Sequence, residues 1–313
     1  MVALGNPAQA LDRRSRAGAR APRRRGGAVA YVFLIPWLIG VIGITLGPML
    51  ASLYLSFTDY RLGSTPSWVG AANYVRLFTQ DDRFIASAGV TARYVLVSVP
   101  LQLVFALAIA VLLDRGVRGL AIYRSIYYLP SLLGSSVAVA VLWRQIFSSQ
   151  GLVVQVADWF GITMGGWIAD PAHALDTLIV LNVWTFGSPM VIFLAGLRQI
   201  PNDLVEAARV DGAGALRRFW SVILPLLSPV VFFNLVLQLI GAFQAFTPAY
   251  IISSGTGGPA DSTLFYSLYL FQSGFQAFNM GYASAMAWIL FIVIGAFTAV
   301  NFIASKYWVH YET

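Results

Sequence analysis

No cysteine occurs in the sequence, which excludes disulfides and thiolate metal sites. A single lysine, Lys306, stands near the end of the chain. A phosphate-binding loop of the form GxxxxGK[ST] therefore cannot be written anywhere in it, and the chain cannot hydrolyse ATP by that route. The two histidines, His173 and His310, fall on opposite sides of the topology derived below, so no histidine pair holds a metal. No glycine-flanked serine with suitable partners suggests a hydrolase. Charge is scarce as well, at 11% of residues where a soluble domain carries about a quarter.

What fills the chain is apolar sequence, 58% of its 313 residues. Six runs approach or exceed the roughly 20 residues that cross a bilayer core. They lie near 28–57, 90–113, 126–147, 177–197, 222–250 and 281–305. Their length excludes a barrel, whose strands alternate over about ten residues. The fold class is therefore all-α, a membrane protein of six transmembrane helices. The run from Ala28 is too long for a cleaved signal segment and reads as a retained first helix. No acidic residue lies deep in any span, whereas ion-coupled carriers place ionisable groups there. Something outside the chain must drive it.

Basic residues collect on the cytoplasmic side of short loops. Arg13, Arg14, Arg16, Arg20, Arg23, Arg24 and Arg25 precede the first span. Arg115, Arg118, Arg124, Arg198, Arg209, Arg217 and Arg218 occupy the second and fourth loops, and Lys306 follows the last span. Both termini are then cytoplasmic, and the net charge of +7 is a matter of topology rather than of nucleic-acid binding. Three parts are expected: a flexible basic segment 1–27, a membrane domain 28–306, and a short cytoplasmic tail 307–313. The outer loops 58–89 and 148–176 are rich in aromatics, and the first is expected to hold a short surface helix.

One cytoplasmic stretch, 201–229, interrupts the apolar pattern: PNDLVEAARVDGAGALRRFWSVILPLLSP. Asp203 with Glu206 three residues later has the form of a capping box. Asp211 and Gly212 break the helix, and a second helix starting near Leu216 runs into the fifth span. The expected product is a short helix, a tight turn, and a rigid connection into the membrane.

Glu206, Ala207, Ala208, Asp211, Gly212 and Ala213, with Pro225 and Pro229 beyond, resemble the EAA coupling motif of inner-membrane permeases from binding-protein-dependent ABC importers. Further blocks extend the resemblance over nearly the whole chain: PWLIGVIGITLGPMLASLYLSFTDY, WVGAANYVRLF, SVPLQLVFALAIAVLL, RSIYYLPSLL, FLAGLRQIP, FQAF and GGP. That set is similar to the carbohydrate branch, of maltose and glycerol-phosphate type. The resemblance implies the type I importer permease fold in a bacterial inner membrane, with no catalysis and no cofactor in this chain. ATP and Mg would be bound by a partner ATPase dimer, into which Glu206, Ala207, Ala208, Asp211 and Gly212 dock. A second homologous permease would complete a heterodimer, and an extracytoplasmic binding protein or lipoprotein would deliver a sugar.

Matching places in maltose-type permeases put Asn182 and Gln244 in the substrate pathway, with Thr247 a weaker match and Trp184, Phe186, Phe243 and Phe246 nearby. Helix rise carries both amides from the cytoplasmic ends of their spans to the outer half of the bilayer. Amides and aromatic rings suit a sugar's hydroxyls and C–H faces. The same amides also serve as hydrogen bonds between helices. The EAA feature is shared with permeases for other solutes, such as polyamines or phosphate, and a carrier acting alone is the third reading.

Overall fold

Backbone groups in lipid must be satisfied within their own segment, and the chain meets this with helices almost throughout. The structure, a computed structural model, describes residues 26–310 apart from 117–118, 135 and 163–164. The basic segment expected at 1–27 lies, through residue 25, outside the described residues, as do the last three residues of the tail. Among the described residues, strand pairing is limited to one antiparallel bridge between Thr58 and Trp68.

The chain divides into two compact units, Met1–Ala51 and Ser52–Thr313. The first carries α1 (Gly26–Ile39), a π-helical stretch (Gly40–Leu46) and the beginning of α2 (Gly47–Ser56). All are apolar, and Phe33–Ser56 is long enough to span a membrane.

In the second unit, α3 (Ala72–Thr79) is the surface helix expected in the first outer loop. The Asn73 amide holds it down by donating to the Ser56 and Thr58 carbonyls at 2.9 and 2.8 Å. The long α4 (Asp82–Asp114) follows, started by Asp81, whose carboxylate accepts from the Phe84 amide at 2.9 Å. Then come α5 (Leu120–Leu133), α6 (Val137–Ile146), α7 (Leu152–Trp159), α8 (Ala174–Trp184), α9 (Gly187–Leu197), α10 (Asn202–Val210) and α11 (Ala215–Arg218). The remainder is α12 (Leu224–Phe243), α13 (Thr247–Ile252), α14 (Tyr266–Phe271) and α15 (Met280–Trp308).

The spans expected at 90–113, 177–197, 222–250 and 281–305 appear as Asp82–Asp114, Ala174–Leu197, Ala215–Ile252 and Met280–Trp308. The span expected as one rod at 126–147 does not form one. Its two helices, α5 and α6, meet at 95°, and only together do they make a sixth crossing. The local chemistry explains the break. Gly134 ends α5 with its amide on the Pro130 carbonyl at 2.8 Å. Ser136 then caps α6, its hydroxyl accepting from the Val139 amide at 3.3 Å.

Helix α4 is the spine of this unit. Val95, Val99, Ala106 and Ala110 recur on one buried face and pack against α8, α9 and α12. Phe193, Met190 and Leu194 of α9, Leu178 of α8 and Leu227 of α12 fill the seam. In lipid such association rests on close packing and interhelical hydrogen bonds rather than on removal of apolar surface from water. Polar ties accordingly mark α4 at three levels: Arg93 to Asp176 at 3.6 Å, Gln102 to the Thr185 carbonyl at 3.2 Å, and Asp114 to Arg198 at 3.5 Å.

Candidate functional site

Two places in the second unit combine unusual geometry with the residues singled out in the sequence. The first is the projection 202–218. Helix α10 exposes Glu206 and Ala207 and half-buries Ala208. Apolar side chains are exposed around them, with Leu204 at 44%, Val210 at 88% and Leu216 at 73%. Asp211 and Gly212 close the helix. Gly212 takes φ of +76°, its amide meets the Arg209 carbonyl at 3.0 Å, and the Ala213 amide reaches back to the Ala208 carbonyl at 2.9 Å. This is a Schellman turn, in which glycine occupies the left-handed position that a side chain resists.

The Arg218 guanidinium then donates to the Ala213 carbonyl at 2.6 Å, tying α11 to the turn. From Ala215 the helix continues through a π-helical stretch (Phe219–Ile223) into α12 as one span. The capping box does not form. Pro201 is the N-cap and Asp203 lies in the first turn, where its charge faces the helix's unpaired amides without capping them. Proline's fixed φ, here −59°, sets the entry into the helix two residues earlier than the Asp203 pattern suggests.

The second place is a cavity of about 360 Å³. Three spans are interrupted where it forms. The α5–α6 break brings Ser131 and Gly134, the α8–α9 break brings Asn182 and Thr185, and the α12–α13 break brings Gln244, Phe246 and Thr247, while α4 adds Tyr94. Gly134 is required by this convergence, since a Cβ there would lie 2.1 Å from the Thr185 Cγ2.

Interruptions free backbone groups that need partners. The Thr185 carbonyl accepts from Ser131 Oγ at 2.8 Å as well as from Gln102. Ser131 Oγ in turn accepts from the Ser188 amide at 2.8 Å. Asn182 is half-buried and donates from Nδ2 to Gln102 Oε1 at 3.3 Å, and Gln244 is exposed at the cavity.

Asn182, Gln244 and Thr247 thus meet around one space. Trp184 and Phe243 do not line it. Trp184 packs on Trp143 with ring centres 5.5 Å apart, and Phe243 is buried against Phe297 at 5.2 Å. Phe246, expected beside Gln244, is one aromatic wall, and Tyr94 is the other. Sequence reasoning passed over Gln102, Ser131 and Thr185. A glutamine in the middle of the apolar run 90–113 was the available signal, since polar groups in a span need partners.

At the start of α4, Asp81 joins three elements. Its carboxylate accepts from the Tyr269 hydroxyl at 2.7 Å and from the Tyr282 hydroxyl. Burial alone would raise its pKa, but the hydrogen bonds from Tyr282, Tyr269 and the Phe84 amide, with the charge of Arg76, hold it below the ordinary value. Arg83 grips Asp261 through two hydrogen bonds of 2.8 Å, fixing the loop before α14 to the start of α4.

Comparison with known proteins matches residues 83–307 to a family described as binding-protein-dependent transport system inner membrane component. A probable ABC transporter permease protein, YesP, of Bacillus subtilis (strain 168) is 52% identical over 93% of this chain and 94% of its own. The lactose transport system permease protein LacF of Rhizobium radiobacter is 31% identical, covering 88% of this chain and 93% of that one. Among solved structures, a chain of the bacterial alginate ABC transporter, in complex with its alginate-bound periplasmic protein, shares the fold. Its TM-score is 0.77 at 21% identity, over 90% of this chain and 96% of that chain. With these matches, the chain belongs to the family of inner-membrane permease components of binding-protein-dependent ABC importers.

Proposed function

We propose that the chain forms part of the translocation pathway for a sugar or sugar derivative, and that a separate ATPase drives it through the 202–218 projection. The observation that carries the sugar reading is the wall of the cavity. It combines two amides, several hydroxyls and two aromatic rings, with no acidic or basic side chain among the described residues. Such a wall suits the many hydroxyls and C–H faces of a sugar. A polyamine or a phosphate would need opposite charge to leave water. LacF, a lactose permease by name, is similar over most of its length.

In this reading Asn182, Gln244 and Thr247 bind sugar hydroxyls, and Tyr94 and Phe246 supply the stacking surface. Glu206, Ala207, Ala208, Asp211 and Gly212 form the contact with an ATPase dimer that binds ATP and Mg. The exposed Leu204, Val210 and Leu216 are the apolar surface that such a contact covers. Closure of the ATPase dimer moves α10. The Arg218 bond and the helix continuing from Ala215 carry that movement into α12, whose far end holds Gln244. The chain works beside a second, homologous permease, with both termini cytoplasmic and an extracytoplasmic binding protein on the outer loops.

The test is Asn182→Ala combined with Gln244→Ala in the assembled transporter. Two hydrogen bonds of about 1 kcal/mol each predict a fall in sugar uptake of tenfold or more. ATPase retention on the membrane subunits stays at the wild-type level. Unchanged uptake would return both amides to a purely structural role.

A further inference from the structure

Gln102 lies behind the cavity wall, 1% exposed, on a helix whose other buried neighbours are apolar or small. The buried hydrogen bonds around it can be satisfied in one orientation only. The Thr185 carbonyl can only accept, and the single hydrogen of the Thr185 hydroxyl is committed to the Asn182 carbonyl at 2.7 Å. Neither Thr185 oxygen has a hydrogen to give Gln102, so the atom facing them must be a donor, and Nε2 lies 3.2 and 3.1 Å from them. That leaves Gln102 Oε1 facing Asn182, at 3.3 Å from Nδ2. One Nδ2 hydrogen is committed to Gln102, which fixes the amide's orientation, and Oδ1, on its other arm, has no partner among the described residues.

From this chain of bonds the geometry points to Gln102 as a positioning residue. It locks the Asn182 amide so that the cavity is offered a hydrogen-bond acceptor at this point, selecting a solute that places a hydroxyl donor there. The assignment rests on the sugar reading for its meaning in transport, but not for its geometry. An unlocked Asn182 flips freely and presents donor or acceptor alike. A locked one discriminates, because a solute lacking the matching donor leaves a buried oxygen unpaired.

Two readouts separate the lock from the function. In the full chain labelled with [15N]asparagine in detergent, the Asn182 side-chain amide is assigned by its loss in Asn182→Asp. The Nδ2 proton bonded to Gln102 exchanges with deuterium at least about tenfold more slowly in the wild type than in Gln102→Leu. Gln102→Glu keeps the protection, because a buried protonated carboxyl donates to Thr185 through O–H and accepts from Asn182 through C=O. In proteoliposomes of the complete transporter with its binding protein, uptake of radiolabelled maltose, lactose and trehalose is followed. For a transported sugar, Gln102→Leu raises KM about fivefold with little change in maximal rate, the worth of one hydrogen bond, and Gln102→Glu restores it. Equal exchange in all three proteins would overturn the lock, whatever the transport data. Intact protection with no uptake of any of the three sugars would instead count against the sugar reading.

Discussion

Gly212 and Asp81 show how much a single position carries. Gly212 sits at +76°, where a side chain costs about 1 to 2 kcal/mol. Gly212→Val is expected to loosen the turn between α10 and α11 without unfolding the spans. ATPase retention should drop severalfold in a pull-down while thermal stability in detergent changes little. This turn was legible in the sequence, because Asp-Gly after an amphipathic segment has few other uses. The true start of α10 was not, because the capping-box pattern of Asp203 and Glu206 ignores Pro201 two residues before. For Asp81 the folded pKa is depressed, so its contribution to stability is present above the ordinary value of 3.8 and is lost as pH falls through the lower folded value. Melting temperature in detergent should therefore decline below about pH 4 in the wild type, more steeply than in Asp81→Asn. Parallel decline in both proteins would remove Asp81 from that account.

At the scale of elements, the informative features are the breaks rather than the helices. Hydropathy reads the third span as one run because α5 and α6 are equally apolar, and it averages over the three residues between them. The stop and start signals were nonetheless present as Gly134 and Ser136. What no local signal reports is that three breaks converge, since Gly134, Thr185 and Gln244 are far apart in sequence. Gly134→Ala tests this convergence directly. Its Cβ would meet Thr185 Cγ2 at 2.1 Å, and overpacking of this kind costs about 1 to 3 kcal/mol. The variant should melt at lower temperature and transport poorly. Thr185→Ser in the same chain removes that methyl while keeping the hydroxyl that meets Gln102, and should recover most of both losses. The choice of aromatic walls was similarly non-local. Trp184 and Phe243 stand beside Asn182 and Gln244 in sequence, but helical side chains one or two positions apart point in different directions. Tyr94, on another helix, takes the place they were assigned.

For the whole molecule, one continuous helix joins the 202–218 projection to the cavity, in a chain whose sequence holds no phosphate-binding loop for ATP. The succession of apolar spans was readable from hydropathy, and the family from the residues around Glu206 and Gly212 with the other matching blocks. The three ties along α4, from Arg93 to Asp176 through Gln102 to Asp114 with Arg198, were invisible until the helices were packed. They make α4, α8 and α9 one block, against which α12 is the element connected to the projection. The measurement that bears most directly on this coupling is made on the transporter purified through a tag on this chain. In the wild type, the ATPase co-purifies and its hydrolysis rises when sugar-loaded binding protein is added. The coupling account predicts that Glu206→Lys leaves the chain inserted in the membrane yet abolishes both co-purification and stimulated hydrolysis. Wild-type ATPase recovery and stimulation in Glu206→Lys would contradict it.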